Sequence, residues 1–551
     1  MASHTRSLMF WRDLTPLPTP MVQPTASSPH ILIIGGGVTG LSNAWTLLDK
    51  GYHVTVVSKE WATYGSEQRL TSQIAGALWE YPPAVCGQHT DKISLAKSKK
   101  WCMVAYDIWR AIADQPELGK KAGVKMCPSD FYFPERIDHD SFQRGKMEEI
   151  MESGVVGFRR GTHLIQERRV DPKEGGVDAY EIQAPVIDTD TGMKFLMELV
   201  QSKGCKLVTD EITQDLIDIE DELLAQYDAD VIINCTGLAG NVLAGDSSCY
   251  PIRGGLIRVV NDGKDFPKVT AGLTISADAA YDNEIVFIVP RSDNVLILGG
   301  ITEAHEWDLD LTLDSPIIAR MRERCEKFLP DLRNARLDPD YPLAQGLRPF
   351  RSKNIRVERE QRTNPASGRR SKVVHNYGHG GAGWSLSFGC AGDVLKLVQV
   401  ALKEKVALPS PRAEQQQQKL QVPMLVHDFS SSTETLEVIS DVDDDNSIAP
   451  PAQQQQQQHK LSGMQLGGVD GKKKKSSSGG GGGGSGIFSR LRRPSRKNLQ
   501  VPMSMAAYSS SSETVDMMSD DGSQVLIGGG GVEIPIRLRI SISTENLHAH
   551  M

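Results

Sequence analysis

The sequence predicts an α/β body followed by a long disordered C-terminal tail, and three observations carry that expectation. From His30 to about residue 407, apolar runs, Gly/Pro turns and amphipathic segments alternate, as in packed strands and helices. The body opens on Ile31-Leu-Ile-Ile34, a buried-strand run met at once by a glycine-rich turn and then a helical periodicity. Beyond Pro409 the homopolymer runs Gln415 to Gln418, Gln453 to Gln458, Lys472 to Lys475 and Gly479 to Gly484 cannot bury enough apolar surface to offset the entropy of ordering them, so residues 408–551 read as a low-complexity tail. At roughly 150 residues per domain, the 551 residues leave room for three to four domains.

Residues 1–29 read as a disordered leader: one apolar patch, Leu8 to Trp11, gives way to a Pro/Thr/Ser-rich stretch, too short for a signal-peptide core. Its poverty in acids keeps an organelle transit peptide open.

After the first strand the turn reads Gly35-Gly-Gly37-Val38-Thr39-Gly40, that is G-x-G-x-x-G. Leu41, Ala44, Trp45 and Leu48 then recur at helical spacing, Gly51 falls where a left-handed helix end is expected, and His53-Val-Thr-Val-Val57 reads as the second strand. A complete β-α-β unit of this kind predicts a Rossmann-like dinucleotide site. Gly35 allows the tight turn, Gly37 lets the backbone approach a pyrophosphate, Gly40 allows close helix-strand packing, and the free N–H groups at the helix start attract negative charge. An acid about twenty positions on should bind ribose hydroxyls, and Glu60 is there; because Ser58 ends the strand, the alternative is that Glu60 is a surface charge and backbone groups make the contact.

Charge and cysteine usage narrow the partners. With 61 Lys+Arg against 69 Asp+Glu the net charge is -8, which directs the chain toward neither nucleic acid nor anionic membrane. No uninterrupted apolar run approaches the ~18 to 20 residues of a membrane helix, so no membrane partner is expected. Eight cysteines without a C-x-x-C pair argue against a zinc site or a disulfide framework and for a reducing compartment, and no metal is expected.

Within the tail one segment occurs twice, at 421–441 and 500–520, each opening Gln-Val-Pro-Met and running into an apolar and acidic stretch. It reads either as a motif that docks a protein partner or as a low-complexity duplication. The basic cluster Arg490 to Lys497 around Ser495 reads as a solvated charge run, with kinase recognition as the alternative.

Further segments point to one family. Leu70-Thr-Ser-Gln-Ile-Ala-Gly-Ala-Leu-Trp-Glu80, Asn234-Cys-Thr-Gly237, Pro251-Ile-Arg-Gly254, Gly346-Leu-Arg-Pro-Phe-Arg351 and His375-Asn-Tyr-Gly-His-Gly-Gly-Ala-Gly-Trp384 occur in that order. Together, from about Ile31 to Leu402, they resemble the D-amino-acid oxidase and D-aspartate oxidase family. The resemblance implies a Rossmann-like FAD-binding domain from about 30–80, 205–250 and 345–407, interleaved with an α+β substrate domain from about 81–204 and 251–344. It implies FAD as cofactor, held by Gly35, Gly37, Val38, Thr39, Gly40, Glu60, Thr71, Ser72, Gly76, Ala77, Leu78, Thr236, Gly237, Gly380, Gly381, Gly383, Trp384 and Ser385.

Arg348 matches the family's carboxylate-binding arginine, and a planar guanidinium suits that task because it makes two parallel hydrogen bonds to a carboxylate. By the same resemblance the Gly381 carbonyl accepts the substrate amine, and the helix after Gly383 points its positive end at the flavin. His379 reads as a hydrogen-bonded structural histidine. Three departures bear on the pocket: Phe287 replaces a substrate-binding tyrosine, Asn283 replaces a second with Tyr281 close enough to compensate, and Glu80 stands where a neutral amide is usual. A carboxylate there attracts a cationic side chain or repels an acidic one, provided it faces the cavity.

The implied reaction is hydride transfer from Cα to flavin N5, hydrolysis of the imino acid to a 2-oxo acid and ammonia, and reoxidation by dioxygen to hydrogen peroxide. Substrate and dioxygen are then the small-molecule partners, and a homodimer is possible. A related oxidase of glycine, sarcosine or another amine, and a flavin-binding scaffold acting through its tail, are the alternatives. The terminal Ala549-His-Met551 fits a relaxed peroxisomal tripeptide, so peroxisome and cytosol both stay open.

Overall fold

The structure is a computed structural model that describes residues 7–84, 91–276 and 285–404. The tail with its two repeats, the final tripeptide, Tyr281, Asn283 and Cys86 lie outside the described residues.

The local pattern at the start of the body folds as its periods dictate. His30–Ile34 is a strand, Val38–Leu48 a helix and His53–Ser58 a second strand, parallel to the first in the register Ile31↔Val54 to Ile34↔Val57. A six-stranded sheet grows from this unit in the order Arg356–Arg359, Val373–Tyr377, Val231–Asn234, His30–Ile34, His53–Ser58, Lys206–Thr209. All neighbours are parallel except the first pair. Its strands are apolar on both faces, as a covered parallel sheet requires. Ile31, Ile33, Val54, Val56, Val231, Ile233 and Val374 face a core shared with the helices Val38–Leu48, Lys92–Ala113, Thr189–Ser202 and Gly383–Lys403. Leu32, Ile34, Val57, Ile232 and Val373 face Leu216, Leu223 and Leu243 on the other side.

A second, nine-stranded sheet is mainly antiparallel and is built around Val124–Phe133, Asp178–Ile187 and the long strand Cys249–Val260. Leu343–Arg351 pairs along most of that long strand, from Leu343↔Ile257 to Arg351↔Cys249. The helix Pro316–Phe328 buries Ile318, Met321, Cys325 and Phe328 against this sheet.

The domain limits drawn from the sequence shift accordingly. The expected boundary at 345 gives most of Leu343–Arg351 to the cofactor side, yet the strand belongs to the second sheet through its whole length, because its pairing partner is Cys249–Val260. The helices Lys92–Ala113 and Thr189–Ser202 fall in the span 81–204 expected for the substrate side, yet they cover the first sheet with Trp109, Phe195 and Leu196 in its core. Gly383–Lys403 is long and apolar enough to cross a membrane by length and composition, but it is a central packing helix. Gly389 meets the backbone of Trp101 so closely that a Cβ there would strike it.

The described part of the leader corrects the expectation of disorder. Leu8, Phe10 and Leu14 are buried in the first core, with the Phe10 ring 6.4 Å from Trp45 and nearly perpendicular to it. The buried Asp49, at the end of the first helix, accepts the backbone N–H groups of Thr15 at 2.8 Å and Met21 at 3.1 Å, the Trp45 indole at 2.8 Å and the Lys203 ammonium at 2.7 Å. Asp49 and Lys203 have no solvent-exposed side-chain surface. A Pro/Thr/Ser-rich composition is compatible with order when a buried carboxylate captures its backbone donors.

Candidate active site

Three segments distant in the sequence meet at the carboxyl edge of the first sheet, the place where open α/β sheets bind ligands. The first is the turn after His30–Ile34. Gly35 has φ +112°, and a Cβ there would fall 2.5 Å from the Cys235 carbonyl just past the neighbouring strand, so backbone and space both demand glycine. A Cβ on Gly40 would strike the Gly35 carbonyl, which is the close packing expected of the third glycine. At Gly37 the backbone is extended and a Cβ would approach only the Ser72 hydroxyl, at 3.1 Å.

The second segment is Thr71–Ile74, a short helix laid across that turn. The Ser72 hydroxyl accepts the Val38 N–H at 3.0 Å, and its carbonyl accepts the Trp384 indole N–H at 2.8 Å. The Thr71 hydroxyl donates to the Leu347 carbonyl at 3.2 Å. Gln73 joins its side chain to Thr63 and, at 2.9 Å, to Asp190, which also receives Arg69 at 2.7 Å and Arg258 at 3.4 Å. Buried Arg291, whose guanidinium is pushed down to about 10 by burial, donates to the carbonyls of Gln73 and Ala75. Ala77 takes φ +48°, a left-handed conformation costly for a residue with a side chain. Its carbonyl accepts Ile187 N–H at 3.1 Å.

The third segment is the loop from Gly378 to Ala382 ahead of Gly383–Lys403. Gly380, at φ +57°, donates its N–H to the Pro349 carbonyl at 2.9 Å. Gly237, at φ +62°, lies against the other side of Pro349, where a Cβ would be 3.4 Å away. The Thr236 hydroxyl donates to Asn234 at 2.7 Å. Pro349 is thereby held between two glycines, which fixes the backbone of Arg348 next to it in the strand. Gly381 stands partly buried in the turn closed by the Ala382 N–H on the His379 carbonyl, and Ser385 lies in the first turn of the helix. Thr39 is partly buried in the first turn of its own helix.

A dinucleotide fits this cradle. Both Val38–Leu48 and Gly383–Lys403 begin without a side-chain cap and without an acid in the first turn, so their N–H groups and positive dipole ends suit anionic groups. The two helix starts adjoin, since a Cβ on Gly383 would lie 3.5 Å from Val38.

Arg348 is partly buried and its guanidinium is lowered to about 10 by desolvation. Its Nη1 donates to the Ile301 carbonyl at 3.0 Å, and among the described residues no carboxylate pairs with it. The Phe287 ring covers Gly76, where a Cβ would strike it, and offers no hydroxyl to a ligand.

Other expected site residues are placed differently. The Glu60 side chain is 62% exposed and pairs with Lys59 at 3.4 Å, so it stands as a surface charge; the Ser58 hydroxyl reaches the turn instead, accepting the Gly36 N–H at 3.1 Å. Glu80 is no open carboxylate, because the buried Lys146 ammonium lies 3.5 Å from it and neutralises it. Leu78 and the Trp384 indole are buried in the core, Trp384 with its ring 5.7 Å from Trp109, so they position the cradle rather than line it. His379 is buried without a hydrogen bond to Nε2 among the described residues, and burial pushes it down to about 4, which leaves it neutral. Lys146, Arg291 and Asp190 escaped sequence reasoning. Their signal is a charged residue in an apolar setting, as at Arg291 directly after Val286–Pro290.

A cleft of about 660 Å³ lies elsewhere, between the start of Lys92–Ala113 and residues 353–362, and its Asp246, Arg351, Arg356, Glu360 and Arg362 pair among themselves. Asp246 locks the far end of the Arg348 strand, accepting Arg351 at 2.8 Å and the Tyr377 hydroxyl at 2.9 Å. Burial alone raises its carboxyl, but the Ser248 hydroxyl, Arg351 and Tyr377 bring it down to about 2. A depressed carboxyl adds stability above its ordinary value near 3.8 and loses it as pH falls toward 2, here about 2 kcal/mol. The stability gap between wild type and Asp246→Asn should therefore narrow between about pH 5 and pH 2; a gap constant with pH would show that charge is not its source.

A family model described as DAO, FAD dependent oxidoreductase, matches residues 30–397. The chain is 30% identical over 370 residues to a D-amino-acid oxidase of Streptomyces coelicolor, covering 67% of this chain and 96% of that protein. It is 29% identical over 386 residues to D-aspartate oxidase 1 of Caenorhabditis elegans, covering 68% and 98%. Among solved structures, glycine oxidase from Geobacillus kaustophilus superposes with a TM-score of 0.52 at 17% identity, over 70% of this chain and 98% of that one.

Proposed function

The chain belongs to the DAO family of FAD-dependent oxidoreductases and its cofactor is FAD, and from that premise we propose that it oxidises a D-amino acid to a 2-oxo acid and ammonia. The observation that carries this reading is Arg348, a desolvated guanidinium without a carboxylate partner among the described residues, standing beside the glycine loop of the cofactor cradle. Bound FAD supplies the two-electron chemistry, acceptance of the Cα hydride and reoxidation by dioxygen with release of hydrogen peroxide. Arg348 holds the substrate carboxylate in two parallel hydrogen bonds and thereby fixes Cα. The Gly381 carbonyl accepts a hydrogen bond from the amine, and Phe287 adds an apolar wall without a second bond to the carboxylate. Water then hydrolyses the released imino acid. The relatives named as D-amino-acid and D-aspartate oxidases support the choice of D-amino acids.

Two measurements test the proposal. Peroxide release from a panel of D-amino acids, D-aspartate, glycine and sarcosine should be greatest with a D-amino acid; turnover confined to glycine or sarcosine would replace the reading, and none at all would leave a flavin-binding scaffold. Arg348→Ala should lower kcat/KM by about 1.5 to 3 kcal/mol, the worth of a charge-assisted pair, with KM rising and kcat falling together. Unchanged kcat/KM would remove Arg348 from the site.

A further inference from the structure

The guanidinium of Arg348, in the clamp role proposed above on which this reading rests, is seated by its neighbours on the paired strand. On the strand Cys249–Val260, Gly254 lies opposite Gly346 and Ile252 lies opposite Arg348, so Gly254 is the diagonal neighbour of Arg348 across the pair. The Arg348 side chain crosses that position, with Nη1 3.0 Å from the Ile301 carbonyl and 3.5 Å from the Arg253 carbonyl. A Cβ on Gly254 would fall 2.5 Å from Cζ, 2.5 Å from Nη1 and 2.6 Å from Nη2 of Arg348, the guanidinium and nothing else among its three nearest atoms.

Backbone conformation does not account for this glycine. Gly254 is absent from the left-handed positions, and a strand interior disfavours glycine unless another group approaches closely. The approaching group here is a single side chain. We propose that Gly254 is a positioning residue for the substrate clamp: its missing side chain is the seat in which the Arg348 guanidinium lies, and it sets the height and plane the two donors present to a carboxylate.

The geometry makes the proposal separable from folding. The atoms a methyl group would meet are the free end of a flexible side chain, so Gly254→Ala displaces the guanidinium by about 1 Å to reach ordinary contact and leaves the strand pairing in place. A misplacement of about 1 Å at a group that orients substrate is enough to cost on the order of 10²-fold in rate.

The test is a double-mutant cycle on the FAD-loaded enzyme with wild type, Gly254→Ala, Arg348→Ala and the double variant. It reads kcat/KM for the best D-amino acid of the panel and the affinity for an unreactive carboxylate, propionate, followed by the flavin absorbance. Gly254→Ala should keep wild-type flavin content and melting temperature while kcat/KM falls about 10- to 100-fold and propionate binds more weakly. In the Arg348→Ala background the same substitution should change neither quantity more than about twofold. Wild-type values in Gly254→Ala, or equal losses with and without Arg348, would overturn the proposal. If Arg348→Ala itself left both quantities unchanged, the clamp reading would fall first and this one with it; where turnover is absent, propionate affinity alone decides.

Discussion

Gly37→Val is expected to give a folded protein almost devoid of flavin. The two glycines of the turn differ in what they protect. Gly35 combines a left-handed φ with the Cys235 carbonyl at its back, so any side chain there disturbs the junction of two strands. Gly37 has an extended backbone that any residue adopts, and a Cβ meets only the Ser72 hydroxyl, 3.1 Å away. Valine at 37 is therefore compatible with the chain trace, while its two methyl groups fill the space above the helix start where the cofactor's pyrophosphate must approach the backbone. The visible flavin band relative to protein absorbance should collapse while the far-UV circular dichroism is retained. A variant purifying with the wild-type flavin ratio would show that the pyrophosphate lies elsewhere.

Asp49→Ala is expected to destabilise the body by about 3–5 kcal/mol, the cost of leaving a buried ammonium without its counter-ion. The substitution strands Lys203 in a site with no solvent access and also frees the N–H groups of Thr15 and Met21. The double variant Asp49→Ala/Lys203→Met removes the isolated charge but not the orphaned N–H groups, so it should recover only part of the loss. What it does not recover measures how strongly the leader is held. Urea unfolding gives both values, and a loss below about 1 kcal/mol for Asp49→Ala would mean that leader and helix are not coupled.

Why some of this was readable and some was not follows from the range of the interactions. The unit from His30 to Ser58 is legible because strand period, glycine turn and helix period are all local. Arg348 and the glycine loop were reached through the resemblance of their segments. The pairing of Glu80 is not legible in the sequence because its partner, Lys146, is 66 residues away. The order of the leader is illegible for the same reason: its Thr15 and Met21 donors are satisfied by Asp49, 34 and 28 positions on, and that carboxylate is in turn held by Lys203. Gly254 was visible in its motif, yet nothing in a linear pattern distinguishes a glycine required by backbone conformation from one required by a side chain crossing over it.

The strand order of the first sheet also dictates a sequence of events during synthesis. Its central strand, His30–Ile34, is made first, but one flank is completed only by Val231–Asn234 and Val373–Tyr377, and the helix that closes the cradle ends at Lys403. Nearly the whole body must leave the ribosome before the nascent chain presents a finished flavin site, and Asp49 waits until Lys203 emerges. Residues 405–551 follow. At about 5–20 residues per second their translation keeps the body tethered for at least roughly 7–30 s after its last helix is made, an interval in which the sheet can close and collect its cofactor.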